Sequence, residues 1–112
     1  MEKGISFQEY PFKFIYLTVP PENKFPVRVC VAVPKRRFGS AVVRNLLKRR
    51  MREAWRLQKG TLYEYLSQKG TEVAIMMIYI GKEEAGFDEI SVKMETALRK
   101  FLQIHESNQP NP

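Results

Sequence analysis

The 112-residue chain contains one cysteine and one histidine. Cys30 therefore has no partner for an internal disulfide, and a lone Cys with a lone His supplies no metal-ligand cluster. Cys30 stands in the apolar run VRVCVAV, where a free thiol is expected to behave as a small core hydrophobe. His105 falls near the end of an expected helix, a position where the helix dipole mildly favours a cation, and no catalytic or ligand role is assigned to it. Long apolar runs are scarce too. No stretch approaches the ~20 apolar residues that span a bilayer, and the N-terminus lacks the apolar segment of a secretory signal. The expectation is a soluble, cytoplasmic chain. Its length suits one domain with a single modest core.

Acidic residues are missing from one place in particular. The chain has 19 Lys and Arg against 12 Asp and Glu, a net charge of +7. Ten of those bases and only one acid, Glu53, lie between Lys35 and Lys59, so the remainder holds nine bases and eleven acids. Nearly all the excess charge belongs to one segment, which points to an anionic partner, either nucleic acid or a membrane surface.

Strands are expected near Phe12–Val19, at Val27–Val33 and at Glu72–Ile80, with a short one near Ile5–Gln8. The near-continuous apolar character of Glu72–Ile80 suits an interior strand covered on both faces. Ser40 can cap a helix running to about Gln58, with Gly60 as its stop and TLYEYLSQKG as a short separate piece. GKEEAG reads as a turn, and Asp88–Ile104 is an amphipathic helix with acids in its first turn. Residues 1–105 are expected to form the domain and 106–112 a disordered tail.

At 100° per residue, with Arg44 at zero, Lys48, Lys59, Arg52, Asn45, Arg56 and Arg49 fall between roughly 40° and 140°. Leu57, Val43, Ala54, Leu47 and Met51 lie between roughly 220° and 340°, with Trp55 at the boundary. The helix is thus expected to dock by its back and offer cations on its front. A charged helix face is often merely solvated, but here Arg outnumbers Lys and compensating Glu at i and i+4 is nearly absent. Nucleic acid is the expected counter-charge, since guanidinium suits phosphate and Asn45 can both donate and accept. A membrane-surface helix would need its apolar side free, whereas this domain needs that side for its core. No helix-turn-helix partner precedes the basic helix, so DNA is not expected. No cluster of carboxylates or histidines adjoins it, so no catalytic or metal-binding residue is assigned.

The stretch VPKRRFGSAVVRNLLKRRMREAWRL resembles the signature of the protein subunit of bacterial ribonuclease P, the ribonucleoprotein that removes the 5′ leader from precursor tRNA. Arg44, Asn45, Lys48, Arg49, Arg52 and Glu53 match the motif. The resemblance implies an α+β fold like a ribosomal-protein domain, a single small mixed sheet packed by the basic crossover helix and a C-terminal helix. It implies a left-handed connection between two parallel strands, against the usual hand. It also implies that catalytic groups and Mg2+ belong to the RNA subunit, with no cofactor held by this chain, and that the partners are that RNA and precursor tRNA. Expected RNA-binding residues are Lys35, Arg36, Arg37, Arg44, Asn45, Lys48, Arg49, Arg50, Arg52 and Arg56. In the family a cleft beside the basic helix, floored by the sheet, receives the leader. Phe12, Phe14 and Tyr16 share one strand face, and Phe12 and Tyr16 are the expected leader contacts, with Arg28 as a phosphate partner.

Two departures stand out. Leu46 replaces the motif's second arginine, and Arg50 stands where the family usually has an apolar residue. Because the two are four apart on one edge of the helix, Arg50 either supplies the missing guanidinium or reflects simple drift. The family also begins with a helix that this numbered sequence starts too late to contain. The competing function is a structural RNA-binding protein of ribosomal or assembly type.

Overall fold

Alternation along the strands decides which way the sheet faces. A computed structural model describes residues 4–20 and 26–107, with β1 at Ile5–Glu9, β2 at Phe12–Val19, β3 at Val27–Ala32, α1 at Ala41–Lys69, β4 at Glu72–Tyr79 and α2 at Phe87–Ser107. The sheet order is β1-β2-β4-β3; β2 pairs antiparallel with both neighbours, while β3 and β4 run parallel, joined through α1. This is the small α+β domain with a mixed four-stranded sheet and two helices expected from the sequence.

Period two places Phe12, Phe14 and Tyr16 of β2 on the same side as Val73, Ile75, Met77 and Tyr79 of β4, and all seven are buried. Both helices pack on this side, α1 through Leu47, Met51, Ala54, Trp55, Leu62 and Leu66, and α2 through Ile90, Met94, Ala97, Leu98 and Phe101. Edge-to-face rings tie sheet to helix, with Tyr16 to Phe101 at 4.7 Å between centroids, and strand to strand, with Phe12 to Tyr79 at 6.2 Å. Such pairs add about 0.5–1.5 kcal/mol each beyond their buried area.

Three expectations are corrected. First, Gly60 does not stop the basic helix, which runs unbroken for 29 residues to Gly70. A glycine inside a helix costs about 1 kcal/mol, but Leu62 and Leu66 extend the buried stripe past it and outweigh that cost. The true stop is Gly70 at φ 65°, a left-handed conformation that an L side chain rarely adopts. Second, β4 is covered on one face only, since Met76 stays 40% exposed on the other. Its apolar run reflects a central place in the sheet and not two covering layers. Third, α2 continues through Glu106 to Ser107, two residues into the expected tail, because His105 is still a buried anchor. Residues 108–112 of that tail lie outside the described residues.

The turn after β4 is held by Tyr79, whose hydroxyl donates to the Glu83 carbonyl at 2.6 Å and accepts from the Ala85 N–H at 3.2 Å. Gly81 fits beneath it for want of space, since a Cβ there would meet the Tyr79 ring at 2.9 Å and Pro11 at 3.0 Å.

Candidate nucleic-acid interface

The basic helix starts from a built N-terminus: Ser40 Oγ accepts from the Val43 N–H at 3.3 Å. Its buried residues, Leu47, Met51, Ala54, Trp55, Leu62 and Leu66, centre about 60° from the direction the sequence suggests. Two consequences follow. Leu57, expected on the docking side, is 57% exposed. Arg44 and Lys48, expected on the open front, flank the buried stripe and are half-buried.

Arg44 turns back on its own chain. One guanidinium nitrogen donates to the carbonyls of Phe38 at 2.8 Å and Gly39 at 3.0 Å. Those carbonyls close the loop carrying Lys35, Arg36 and Arg37, so Arg44 holds the loop in place while the three loop cations project into solvent. Arg50 is engaged as well: its Nη1 donates to the Ala85 carbonyl at 2.6 Å and meets Glu84 at 3.3 Å. The guanidinium one turn past Leu46 thus clamps the turn between β4 and α2. That placement does not extend the cationic front.

The open front consists of Asn45, Arg49, Arg52 and Arg56, all exposed. Arg56 pairs with Glu53 at 2.6 Å, and this bond holds the Glu53 carboxyl below its ordinary range while raising Arg56. Arg49 and Arg52, with Lys35, Arg36 and Arg37, have no ion pair or side-chain hydrogen bond among the described residues.

Phe12, Phe14 and Tyr16 lie on the helix-covered side, at 0%, 0% and 2% exposure. Their rings fill the core, so Phe12 and Tyr16 form no stacking platform. Burial also raises the Tyr16 phenol above its usual pKa. Arg28 points the other way, onto the uncovered face. That face presents three cross-strand rows: Leu17, Ala74 and Arg28; Ile15, Met76 and Cys30; Lys13, Ile78 and Ala32. A shallow groove of about 250 Å³ runs over the first two rows, apolar in its floor and cationic at Arg28. Cys30 is exposed here, contrary to the core role expected of it. Ile15, Leu17 and Met76 were missed as candidates, although the alternation that buries Phe12, Phe14 and Tyr16 already sends their neighbours outward.

Residues 1–102 match the profile of the family described as Ribonuclease P. Ribonuclease P protein components from two strains of Porphyromonas gingivalis are each 30% identical over 96 residues, covering 86% of this chain and 70% of theirs. The solved structure of the Staphylococcus aureus RNase P protein superposes with a TM-score of 0.65 at 23% identity, over 86% of this chain and 79% of that one. A mutant of the S. aureus protein with defective mRNA degradation activity gives a TM-score of 0.57 at 24% identity, over 93% and 76%.

Proposed function

Because the chain belongs to the ribonuclease P protein family, the protein component of a tRNA-processing endoribonuclease that associates with the ribonuclease P RNA, we propose that it assists cleavage by holding two RNA elements on two surfaces. The RNA subunit lies against the front of α1 and the basic loop, contacted by Lys35, Arg36, Arg37, Asn45, Arg49, Arg52 and Arg56, with Lys48 at the margin. The 5′ leader of precursor tRNA lies on the uncovered sheet face, with bases over Ile15, Leu17 and Met76 and a phosphate at Arg28. Arg44 and Arg50 serve by positioning the loop and the turn they hold.

One observation carries this reading. Among the described residues the exposed cations Arg49 and Arg52 of α1 and Lys35, Arg36 and Arg37 of the loop before it have no counter-charge, and the opposite side of that helix is locked into the core. Such a surface is repulsive by itself and favourable against phosphate, where it releases counterions.

The chain's own residues bind and orient; they do not transfer the proton or deliver the nucleophile. Among the described residues no group of three or more His, Cys, Asp or Glu could hold a metal ion. Magnesium, where the holoenzyme uses it, belongs in this reading to the RNA subunit. Cations between RNA subunit and substrate lower their mutual repulsion, so the protein reduces the Mg2+ needed for assembly.

The test is reconstitution with a ribonuclease P RNA and a leader-bearing precursor. Stimulated cleavage at low magnesium is expected; no stimulation at any protein concentration would favour a structural RNA-binding protein instead. Fluorescence titration with leader-bearing and leaderless precursor tests the second surface. Arg28→Ala should shrink the affinity difference between the two, and an unchanged difference removes the leader from this face.

A further inference from the structure

A separate groove, of about 450 Å³, lies between the open edge of β3 and the middle of α1, lined among others by Val29, Val31, Arg52, Arg56, Lys59 and Tyr63. Among the described residues β3 is the terminal strand of the sheet and is paired on one side only. In its ladder with β4 the Val73 N–H donates to the Pro26 carbonyl, so residues 26, 28, 30 and 32 spend their main-chain groups on β4. The alternate residues Val27, Val29 and Val31 turn N–H and C=O toward the groove. Unpaired strand edges of this kind are ready to bond an incoming chain.

The far wall supplies charge and a ring. Arg52, Arg56 and Lys59 stand at i, i+4 and i+7 on α1, rising by about 6 and 4.5 Å. The main-chain groups across the groove repeat every second residue, about 6.6 Å. The first step is close to the strand repeat and the second falls about 2 Å short of it, a gap that the long Lys59 side chain can span, so a polymer with one anion and one hydrogen-bonding edge per repeat can engage both rows. Tyr63 is half-buried, with the Lys59 ammonium over its ring at 5.1 Å from the centroid; a base that stacks on this face takes the place of the ammonium, which swings on its flexible stem to the neighbouring phosphate. The one acid beside this row, Glu53, is already bound to Arg56. Trp55, 8% exposed, forms the wall and is not a platform.

We propose that this groove is a subsite for single-stranded RNA, with phosphates on Arg52, Arg56 and Lys59, base edges on the main chain of Val29 and Val31, and one base stacked on Tyr63. The inference rests on the RNA-binding reading above, yet it uses the edge of the sheet and not its uncovered face. Single-stranded RNA is favoured over an acidic peptide because the groove continues the cationic front and offers a ring at the end of the cation row.

The experiment follows main-chain amide signals of the full chain by NMR during titration with short oligoadenylate, and in parallel with oligoglutamate. Oligoadenylate should shift the Val29 and Val31 amides and the Tyr63 ring signals, leaving β2 amides unmoved. Tyr63→Leu should weaken oligoadenylate binding at least about fivefold, the effect of one lost base stack. Lys59→Ala should weaken it and reduce its salt dependence, with little change in melting temperature, since the half-buried side chain makes one cation–π contact, with Tyr63. Shifts confined to the uncovered face, or shifts with oligoglutamate and none with oligoadenylate, overturn the proposal. If cleavage stimulation persists in either of those cases, the subsite is wrong while the family function stands. If stimulation is absent but Val29 and Val31 respond to oligoadenylate, the function is wrong while the groove stands.

Discussion

The two helices pack side by side on the same sheet face, yet they treat charge in opposite ways. α1 carries eight bases and two acids between Ala41 and Lys69, while α2 carries three bases and four acids between Phe87 and Ser107. On α2 the charges are matched locally: Arg99 to Glu95 at 3.3 Å, Lys100 to Glu9 at 3.7 Å, and Asp88 and Glu89 in the first turn, where the dipole favours them. On α1 the first turn has no acid, and among the described residues only Arg50, Arg56 and Lys69 meet a carboxylate. α2 meets two of its three bases with carboxylates, whereas α1 meets three of eight among the described residues. A helix with a buried back and an unneutralised front is stable enough to fold and still poised for a polyanion.

The comparison can be broken most severely from the α2 side. Phe101, fully buried against Tyr16, should cost about 3–5 kcal/mol when cut to Ala, read as a lowered denaturant midpoint. RNA binding by the fraction still folded should be unchanged. If Phe101→Ala altered the salt dependence of RNA binding, the division between a structural and a functional helix would be wrong.

Next come the two arginines that α1 spends internally. Arg50→Ala should remove about 1–3 kcal/mol of stability by leaving the Ala85 carbonyl without its charged donor, with the salt slope of RNA binding intact. Arg49→Ala should do the reverse, leaving unfolding unchanged and lowering the log–log salt slope by roughly 0.7–0.9 for each phosphate lost. Equal slopes for the two variants would return Arg50 to the RNA-binding front. For Arg44→Ala, hydrogen exchange of residues 38–40 should accelerate, because both loop carbonyls lose their donor.

A smaller effect sharpens the contrast through pH. His105 on α2 is buried, stacked on Phe101 and bonded to the Tyr65 hydroxyl at 2.9 Å, and desolvation lowers its pKa from the ordinary 6.5. The unfolded chain therefore binds the proton first, at about 6.5. Stability from this site is complete above that pH and is lost as pH falls toward the lower folded value. Melting temperature should drop across that window, and His105→Gln should flatten the drop. The smallest effect expected is that of Glu53→Gln, which frees Arg56 from its carboxylate. RNA affinity at low salt should rise slightly and melting should not move, since the pair is exposed.

Much of the architecture was legible beforehand. Phe12–Val19 is the strand that aromatic and β-branched content and the turn composition after it marked, and the Ser40 cap and the starts of both helices stand where pattern and polarity put them, to within a residue. Gly60 misled because a glycine signals a stop only when nothing beyond it is worth burying, and Leu62 and Leu66 are. The site was read unevenly. Arg49, Arg52 and the loop cations stand open as expected, whereas Phe12 and Tyr16 were placed on the wrong side of the sheet. Period two groups them correctly with Phe14, but it does not say which group meets the helices.

Sequence by itself determined that the positive charge gathers in one helix, that this helix has an apolar back, and that its motif is that of the ribonuclease P protein family. The first two are properties of composition and period, which local geometry carries without reference to distant residues, and the third is a resemblance of motif. Tertiary structure alone decided which sheet face is covered, that Arg44 holds the loop it follows, that Arg50 reaches Ala85 35 residues away, and that β3 ends the sheet with its main chain open. Those outcomes depend on which surfaces are brought together when the core closes. A side chain's partner across that distance is set by the packing of the whole domain, and its neighbours in the chain carry no trace of it.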